Sequence, residues 1–195
     1  VYKRQEETVL EINAGFGEIT GEFCNKAKRI VAIESKKEKA ECIEKRYNNF
    51  DNLEIYAGDY EDIKIDEKFD YVAYINEGIE TKENIEELLK KMKSNLKTNG
   101  KMLLISNNKF GIKYWAGQKE NEQELSYNTI TGKKNITDVK EIQKYLEKLN
   151  LKTRFFYPIP DYVFTNAIYT DEFLPNVEQI NSRDWELFDL SLIHI

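Results

Sequence analysis

Short apolar runs alternate along the first half of the chain with stretches whose apolar residues recur every three or four positions. Thr8–Ala14 reads as a strand ending in a glycine turn, and Glu18–Ala27 as a helix. Arg29–Ile33 predicts a second strand, ending at Glu34. Lys36–Asn48 follows as a helix with Ala40 and Ile43 inward, and Leu53–Ala57 as a third strand running into Gly58-Asp59. Phe69–Ile75, rich in Tyr and Val, is a fourth strand. Ile85, Leu88, Leu89 and Met92 mark the inner face of a helix over Lys82–Leu96. Thr98-Asn99-Gly100 is expected to stop that helix, as glycine does just past a helix end. Lys101–Ser106 is a fifth strand. This βαβ rhythm predicts an α/β doubly wound, mostly parallel sheet. The unbroken apolar runs suit strands buried on both faces.

After the fifth strand the pattern changes. Residues 107–136 are polar and aromatic, carry Gly111, Gly117 and Gly132, and show no period, so a long loop or insertion is expected. Thr137 is placed to cap a helix over Asp138–Leu149. Leu151–Tyr157 and Tyr162–Tyr169 read as two strands joined through Pro158-Ile159-Pro160-Asp161, an arrangement that suits an antiparallel hairpin. No repeat or low-complexity linker interrupts the chain, so residues 1–175 are expected to form one domain. The apolar tail, with Trp185, Leu187, Phe188, Leu190 and Leu192, reads as a linker over 176–195 leading toward a further domain. Val1 in place of an initiator Met fits a domain taken from a longer protein.

Composition narrows the chemistry. The 195 residues suffice for a full core, with 41% hydrophobic and 33% charged residues, the latter above the usual ~25%. There are 29 basic against 35 acidic residues, for a net charge of −6, and no basic face is evident, which argues against nucleic acid as substrate. The mixed Lys/Glu runs at 36–46 and 82–97 read as solvated helix faces. Cys24 and Cys42 lack metal-ligand spacing and read as buried or half-buried thiols in a reducing, cytoplasmic setting. His194 is the only histidine, which argues against a Ser-His-Asp triad or a His-rich metal site; no metal is expected. No apolar run approaches the ~18 residues of a membrane span.

Candidate chemistry gathers at the ends of the first three strands. In Asn13-Ala14-Gly15-Phe16-Gly17, glycines let backbone approach a ligand and the helix start offers N–H groups. The same turn could also be a tight strand–helix connection with no ligand. Glu34 places a carboxylate beside that loop, where it can take both hydroxyls of a ribose. Asp59, after Gly58, could accept from an adenine amino group, with Tyr60 lining the ring. All lie at the carboxyl ends of adjacent strands, where open α/β sheets bind ligands.

Glu11-Ile12-Asn13-Ala14-Gly15-Phe16-Gly17, then Glu34, then Gly58-Asp59, resembles the first three motifs of class I S-adenosylmethionine (SAM)-dependent methyltransferases, over about residues 8–170. The family loop reads Glu/Asp-x-Gly-x-Gly-x-Gly; Asn13 replaces its first glycine, and the side chain there could crowd the cofactor's amino-acid end. A Gly-x-Gly-x-x-Gly dinucleotide loop is absent. The resemblance implies a Rossmann-like sheet of seven strands, the hairpin supplying the last two. It implies SAM as cofactor, with Glu11 or the backbone at Asn13 and Gly15 meeting the methionine moiety and Gly17 completing the loop. Glu34 would then hold the ribose, and Asp59 with Tyr60 the adenine. Tyr74-Ile75-Asn76-Glu77 matches the fourth motif, beneath the sulfonium.

Asn107-Asn108-Lys109-Phe110-Gly111-Ile112-Lys113-Tyr114-Trp115-Ala116-Gly117, with Tyr157-Pro158-Ile159-Pro160-Asp161-Tyr162 and Asp171-Glu172-Phe173-Leu174-Pro175, resembles methyltransferase domains found beside glycosyltransferases in bacterial surface-polysaccharide proteins. That likeness implies O-methylation of a small molecule or glycan, with a covalently linked glycosyltransferase domain as partner. The histidine expected after the Trp-Ala-Gly is missing: the segment reads Gln118-Lys119-Glu120-Asn121-Glu122. Catalytic candidates are Glu77, Asn107 (for positioning), Lys113 and Tyr114. Tyr114 and Trp115 could stack on a sugar face or pack the loop onto the sheet. A SAM-binding scaffold without activity is the alternative.

Overall fold

The computed structural model describes residues 6–76, 85–117, 127, 130–131, 138–159 and 165–174. The chain divides into two compact units: 1–77 with 83–106, and 78–82 with 107–195.

The first unit is a five-stranded parallel sheet. Its strands are β1 (Thr8–Ile12), β2 (Arg29–Glu34), β3 (Leu53–Ala57), β4 (Phe69–Asn76) and β5 (Leu96–Ser106), in the order β3-β2-β1-β4-β5. Helices α1 (Thr20–Lys26), α2 (Lys37–Arg46) and α3 (Ile85–Ser94) accompany them. The chain winds outward from β1 to β3, then returns to β4 and winds the other way. Right-handed crossovers in opposite directions put α1 and α2 on one face and α3 on the other. The buried runs explain the pairing: Val9, Leu10 and Ile12 of β1 lie beside Ile30–Ile33 of β2, all nearly free of solvent. Val9, Cys24, Ala27 and Ile30 form one core cluster under α1; Ala14, Ala32 and Ile43 form another under α2. Cys24 is buried as expected, whereas Cys42 is exposed, because it sits on the outer side of α2 beside exposed Glu41.

The fifth strand is longer than its apolar pattern predicts. Phe69 pairs with Leu96 and Tyr71 with Lys101, so Asp70 alone lies opposite the segment from Lys97 to Gly100. Thr98-Asn99-Gly100 therefore forms a bulge within β5, with Asn99 at φ 67°, and does not end α3. The helix closes earlier, where the Asn95 N–H reaches the carbonyls of Lys91 and Met92. Asp70 ties the bulge down: its Oδ2 accepts from Thr8 N (2.8 Å), Thr8 Oγ1 (2.9 Å) and Lys97 Nζ (2.7 Å).

In the second unit, the region expected to be a loop contains a short helix α4 (Ile112–Trp115). Helix α5 (Val139–Lys148) is capped by Asp138, whose carboxylate accepts from Glu141 N at 2.9 Å. The cap therefore falls one residue after Thr137, which lies outside the described residues. Asp138 and Glu141 hold the spacing of a capping box.

Strands β6 (Phe156–Ile159) and β7 (Ala167–Thr170) pair antiparallel, as expected, but start later than the sequence suggests. Pro158 and Ile159 belong to β6 rather than to the turn. Proline is tolerated there because one side of a two-stranded ribbon needs no N–H. The expected seven-stranded sheet is corrected to five strands plus a separate hairpin: among the described residues, β6 and β7 form their own two-stranded sheet. Both are four residues long, too short to fix a register by themselves, and Phe156 and Ile168 leave their faces exposed. Among the described residues, no helix is long and apolar enough to cross a membrane. Residues 175–195, including the predicted linker, lie outside the described set.

Candidate functional site

The loop after β1 is built from three positive-φ steps. Asn13 (φ 59°), Gly15 (φ 61°) and Gly17 (φ 83°) all take left-handed backbone. Ala14 between them extends β1, donating its N–H to Ile33 O at 3.1 Å, and Gly17 N returns to Ala14 O at 2.9 Å. At Gly17 a Cβ would stand 2.8 Å from the Tyr47 ring, whose hydroxyl donates to Gly17 O at 2.6 Å. The loop's tight path is therefore set by both backbone freedom and the tyrosine packed behind it.

Glu34 is nearly fully buried (1% exposed) and joins the loop directly. Its Oε2 accepts from Gly15 N at 2.8 Å and its Oε1 from Lys36 N at 3.0 Å. A carboxylate offers about four lone-pair sites; Ser35 Oγ also reaches Oε1 at 3.5 Å, so the remaining acceptor capacity lies chiefly on Oε2. Gly58 N donates to Glu34 O at 2.9 Å, bringing the β3 turn alongside. Asp59 follows there with its side chain exposed. The sequence thus brings Glu34, the glycine loop and Asp59 to one end of the sheet.

Tyr60 is a correction. Its ring is buried, and its hydroxyl donates to Asn95 Oδ1 at 2.7 Å, toward the end of α3 and away from the β3 turn's open side. Burial pushes its hydroxyl pKa up, so it stays protonated. It fastens the β3–β4 connection through that hydroxyl. The same connection is held by Lys91, whose ammonium reaches the carbonyls of Tyr60, Glu61 (2.8 Å) and Ile63 (3.0 Å). Asn95 adds bonds to Ile65 O (3.0 Å) and Glu67 O (3.1 Å). Sequence reading missed Lys91 and Asn95. The only signal was a polar residue at the end of an otherwise periodic apolar face.

Glu11 is fully buried in β1. Its Oε2 accepts from Thr20 Oγ1 at 2.7 Å, while Oε1 has no hydrogen-bond partner. Desolvation raises its pKa to about 7, against the lowering effect of the Thr20 bond. The native state thus keeps a proton that the unfolded chain releases near pH 4.5. The stability from this site is fully present below that pH and is lost as pH rises through about 7. Glu11→Gln keeps the acceptor for Thr20 and removes the titration. It is expected to match the wild type in thermal unfolding at pH 5 and to exceed it at pH 8 by about 2 kcal/mol. Equal pH dependence of the two proteins would contradict the assignment.

The remaining candidates divide. Asn76 ends β4, paired with Ser106; Glu77 lies outside the described residues. Asn107, Lys113 and Tyr114 belong to the second unit and cluster within it: Lys113 Nζ donates to Asn107 Oδ1 at 2.8 Å and lies 5.1 Å from the Tyr114 ring centre. Tyr114 is buried and offers no open stacking face, whereas Trp115 is exposed. Among the described residues there is no cluster of metal-ligating side chains.

The loop's N–H groups also exclude one chemistry. Gly15 N faces Glu34, Phe16 N faces Glu18 at 3.1 Å, and Gly17 N is spent on Ala14 O. A diphosphate would meet two carboxylates where it needs donors. A sugar hydroxyl or an ammonium would meet acceptors.

Comparison with known proteins agrees with this geometry. Residues 9–100 match the family model described as a methyltransferase domain, a span from β1 to the β5 bulge. The chain is 33% identical over 69 residues to Probable ribosomal RNA small subunit methyltransferase A of Methanosarcina acetivorans, and 36% identical over 69 residues to the protein of that name from Methanosarcina mazei. Each match covers 35% of this chain and 25% of the relative, so the shared stretch is about a quarter of the relatives' length. Among solved structures, one described as a methyltransferase from Bacillus halodurans superposes with TM-score 0.61 at 20% identity, covering 80% of this chain and 68% of that one. The YcgJ protein from Bacillus subtilis gives 0.59 at 15% identity, over 98% and 79%. The complex of DhpI with SAM and HEP gives 0.57 at 17% identity, over 76% and 72%. Residues 9–100 therefore match a methyltransferase domain, and the sheet has the Rossmann-like fold of methyltransferases.

Proposed function

We propose that this domain transfers a methyl group from SAM to an oxygen of a small molecule or glycan. The observation that carries the reading is the Gly15 N–Glu34 Oε2 bond, which locks the glycine loop onto a strand-end carboxylate at the sheet's switch point. The residues fit an adenosine-bearing sulfonium. The positive-φ backbone of Gly15 and Gly17 sets the tight loop, Glu34 keeps acceptor capacity for ribose hydroxyls, and Asp59 is exposed at the β3 turn for an adenine amino group. Oε1 of Glu11, without a hydrogen-bond partner among the described residues, adds a buried polar atom in β1. SAM supplies an electrophilic methyl on a good leaving group, so the chain's task is to orient the acceptor and exclude water. An acceptor hydroxyl also needs somewhere to deliver its proton. Glu77 is proposed for that role. Net charge −6 argues against carrying over the RNA substrate in the archaeal relatives' names.

The test is calorimetry with S-adenosylhomocysteine (SAH), followed by SAH release from SAM in the presence of hydroxylated glycan and small-molecule acceptors. Micromolar SAH binding and acceptor-dependent turnover are expected. A folded sample that gives no heat with SAM or SAH removes the reading. Binding without turnover would point to the second reading, a SAM-binding scaffold attached to a glycosyltransferase. The Asn13 side chain, bonded across the strand ends, favours that alternative.

A further inference from the structure

Asn13 stands where the resemblance puts a glycine, and its backbone takes the left-handed conformation a glycine would take. Asparagine reaches that region at small cost, so the backbone tolerates it. The side chain does something glycine cannot. Its Nδ2 donates to the Ile75 carbonyl at 2.7 Å. A carbonyl can only accept, so the amide's orientation is fixed by its partner.

The position of this bond matters. β1 and β4 are neighbours, with Ile12 opposite Tyr74, so Asn13 and Ile75 are the next residues on each strand. From β1 the chain winds toward β2, and from β4 toward β5. This is the switch point, where the two halves of an open sheet part and a crevice forms beyond the strand ends. The Asn13 amide crosses that crevice at its floor. It also occupies the carbonyl there, an acceptor suited to the ammonium of an amino-acid-bearing ligand.

The geometry points to Asn13 as a latch that sets cofactor affinity: the bond to Ile75 holds the strand ends together in the free protein and competes with the cofactor's amino-acid end for the same carbonyl. This rests on the reading of the site as a SAM pocket. The latch makes affinity lower than the loop alone would permit, because binding trades one intramolecular hydrogen bond for the new contact. It thereby identifies a residue that tunes affinity without contributing a favourable contact of its own.

Asn13→Gly is the informative variant, since glycine accepts φ 59° without strain and folding is not at risk. SAH affinity by calorimetry is expected to rise about fivefold, the worth of one neutral hydrogen bond. Equal or weaker binding than wild type overturns the latch while leaving the SAM reading intact. Amide hydrogen exchange without ligand supplies a second readout. Exchange at Gly15 and Asn76 is expected to speed up in Asn13→Gly and equally in Asn13→Asp, which keeps the size and loses the donor. Unchanged exchange, or a change in the glycine variant alone, overturns the latch even if neither protein binds SAH.

Discussion

Glu34→Gln is expected to weaken SAH binding about a hundredfold. Glu34 does two things at once in the structure. It receives Gly15 N and Lys36 N on separate oxygens, which fixes the loop, and it keeps acceptor capacity, chiefly on Oε2, for ribose hydroxyls. Glutamine retains the length but presents one acceptor and one NH2 group, so either Gly15 N–H or Lys36 N–H would face a donor. Charge-assisted bonds to two hydroxyls carry about 1.5–3 kcal/mol each, and losing the charge and one acceptor forfeits roughly 2.7 kcal/mol. Calorimetry with SAH checks this; affinity within threefold of wild type, on a folded variant, would mean that the ribose is held elsewhere.

The second large effect is on stability. Asn95→Ala is expected to lower the unfolding free energy by about 4 kcal/mol, read by urea denaturation. The Asn95 side chain is nearly fully buried and serves three partners: Tyr60 Oη, Ile65 O and Glu67 O. Truncation strands all of them, and each stranded buried group costs about 1–3 kcal/mol, with relaxation and water entry recovering part of the sum. Tyr60→Phe removes one bond from the same network and should cost about a third as much. If the two variants lose equal stability, the carbonyls of the β3–β4 connection are not being held by Asn95.

These contrasts explain what was legible in the sequence. β1, β2 and β4 could be read because they are largely buried and so are written as mostly apolar runs, whereas β3 and β5 keep much of their length exposed. Gly15, Gly17 and Glu34 could be read because backbone freedom and strand-end position leave residue-type signatures. Tyr60 was misassigned because sequence adjacency to Asp59 says nothing about direction: its neighbour faces solvent while it turns inward to Asn95. The β5 bulge was hidden because Thr98-Asn99-Gly100 is equally good chemistry for a helix stop, and only the Phe69–Leu96 pairing distinguishes the two. The hairpin's pairing partner is a long-range property, and four-residue strands with exposed faces carry no pattern that names one.

Tyr47 has a consequence for how this sequence can drift. Its ring fills a slot that exists because residues 17 and 21 lack side chains: a Cβ at Gly21 would come within 2.7 Å of the ring, and one at Gly17 within 2.8 Å. Gly21 sits inside α1, where glycine is a poor helix former by about 1 kcal/mol relative to alanine. The three positions are thus one inherited unit. A lineage that shortens residue 47 loses the hydroxyl bracing the loop but frees position 21 to become alanine and strengthen the helix. A lineage that keeps the tyrosine is bound to both glycines, so relatives should fall into two groups at these positions, with few mixtures between them.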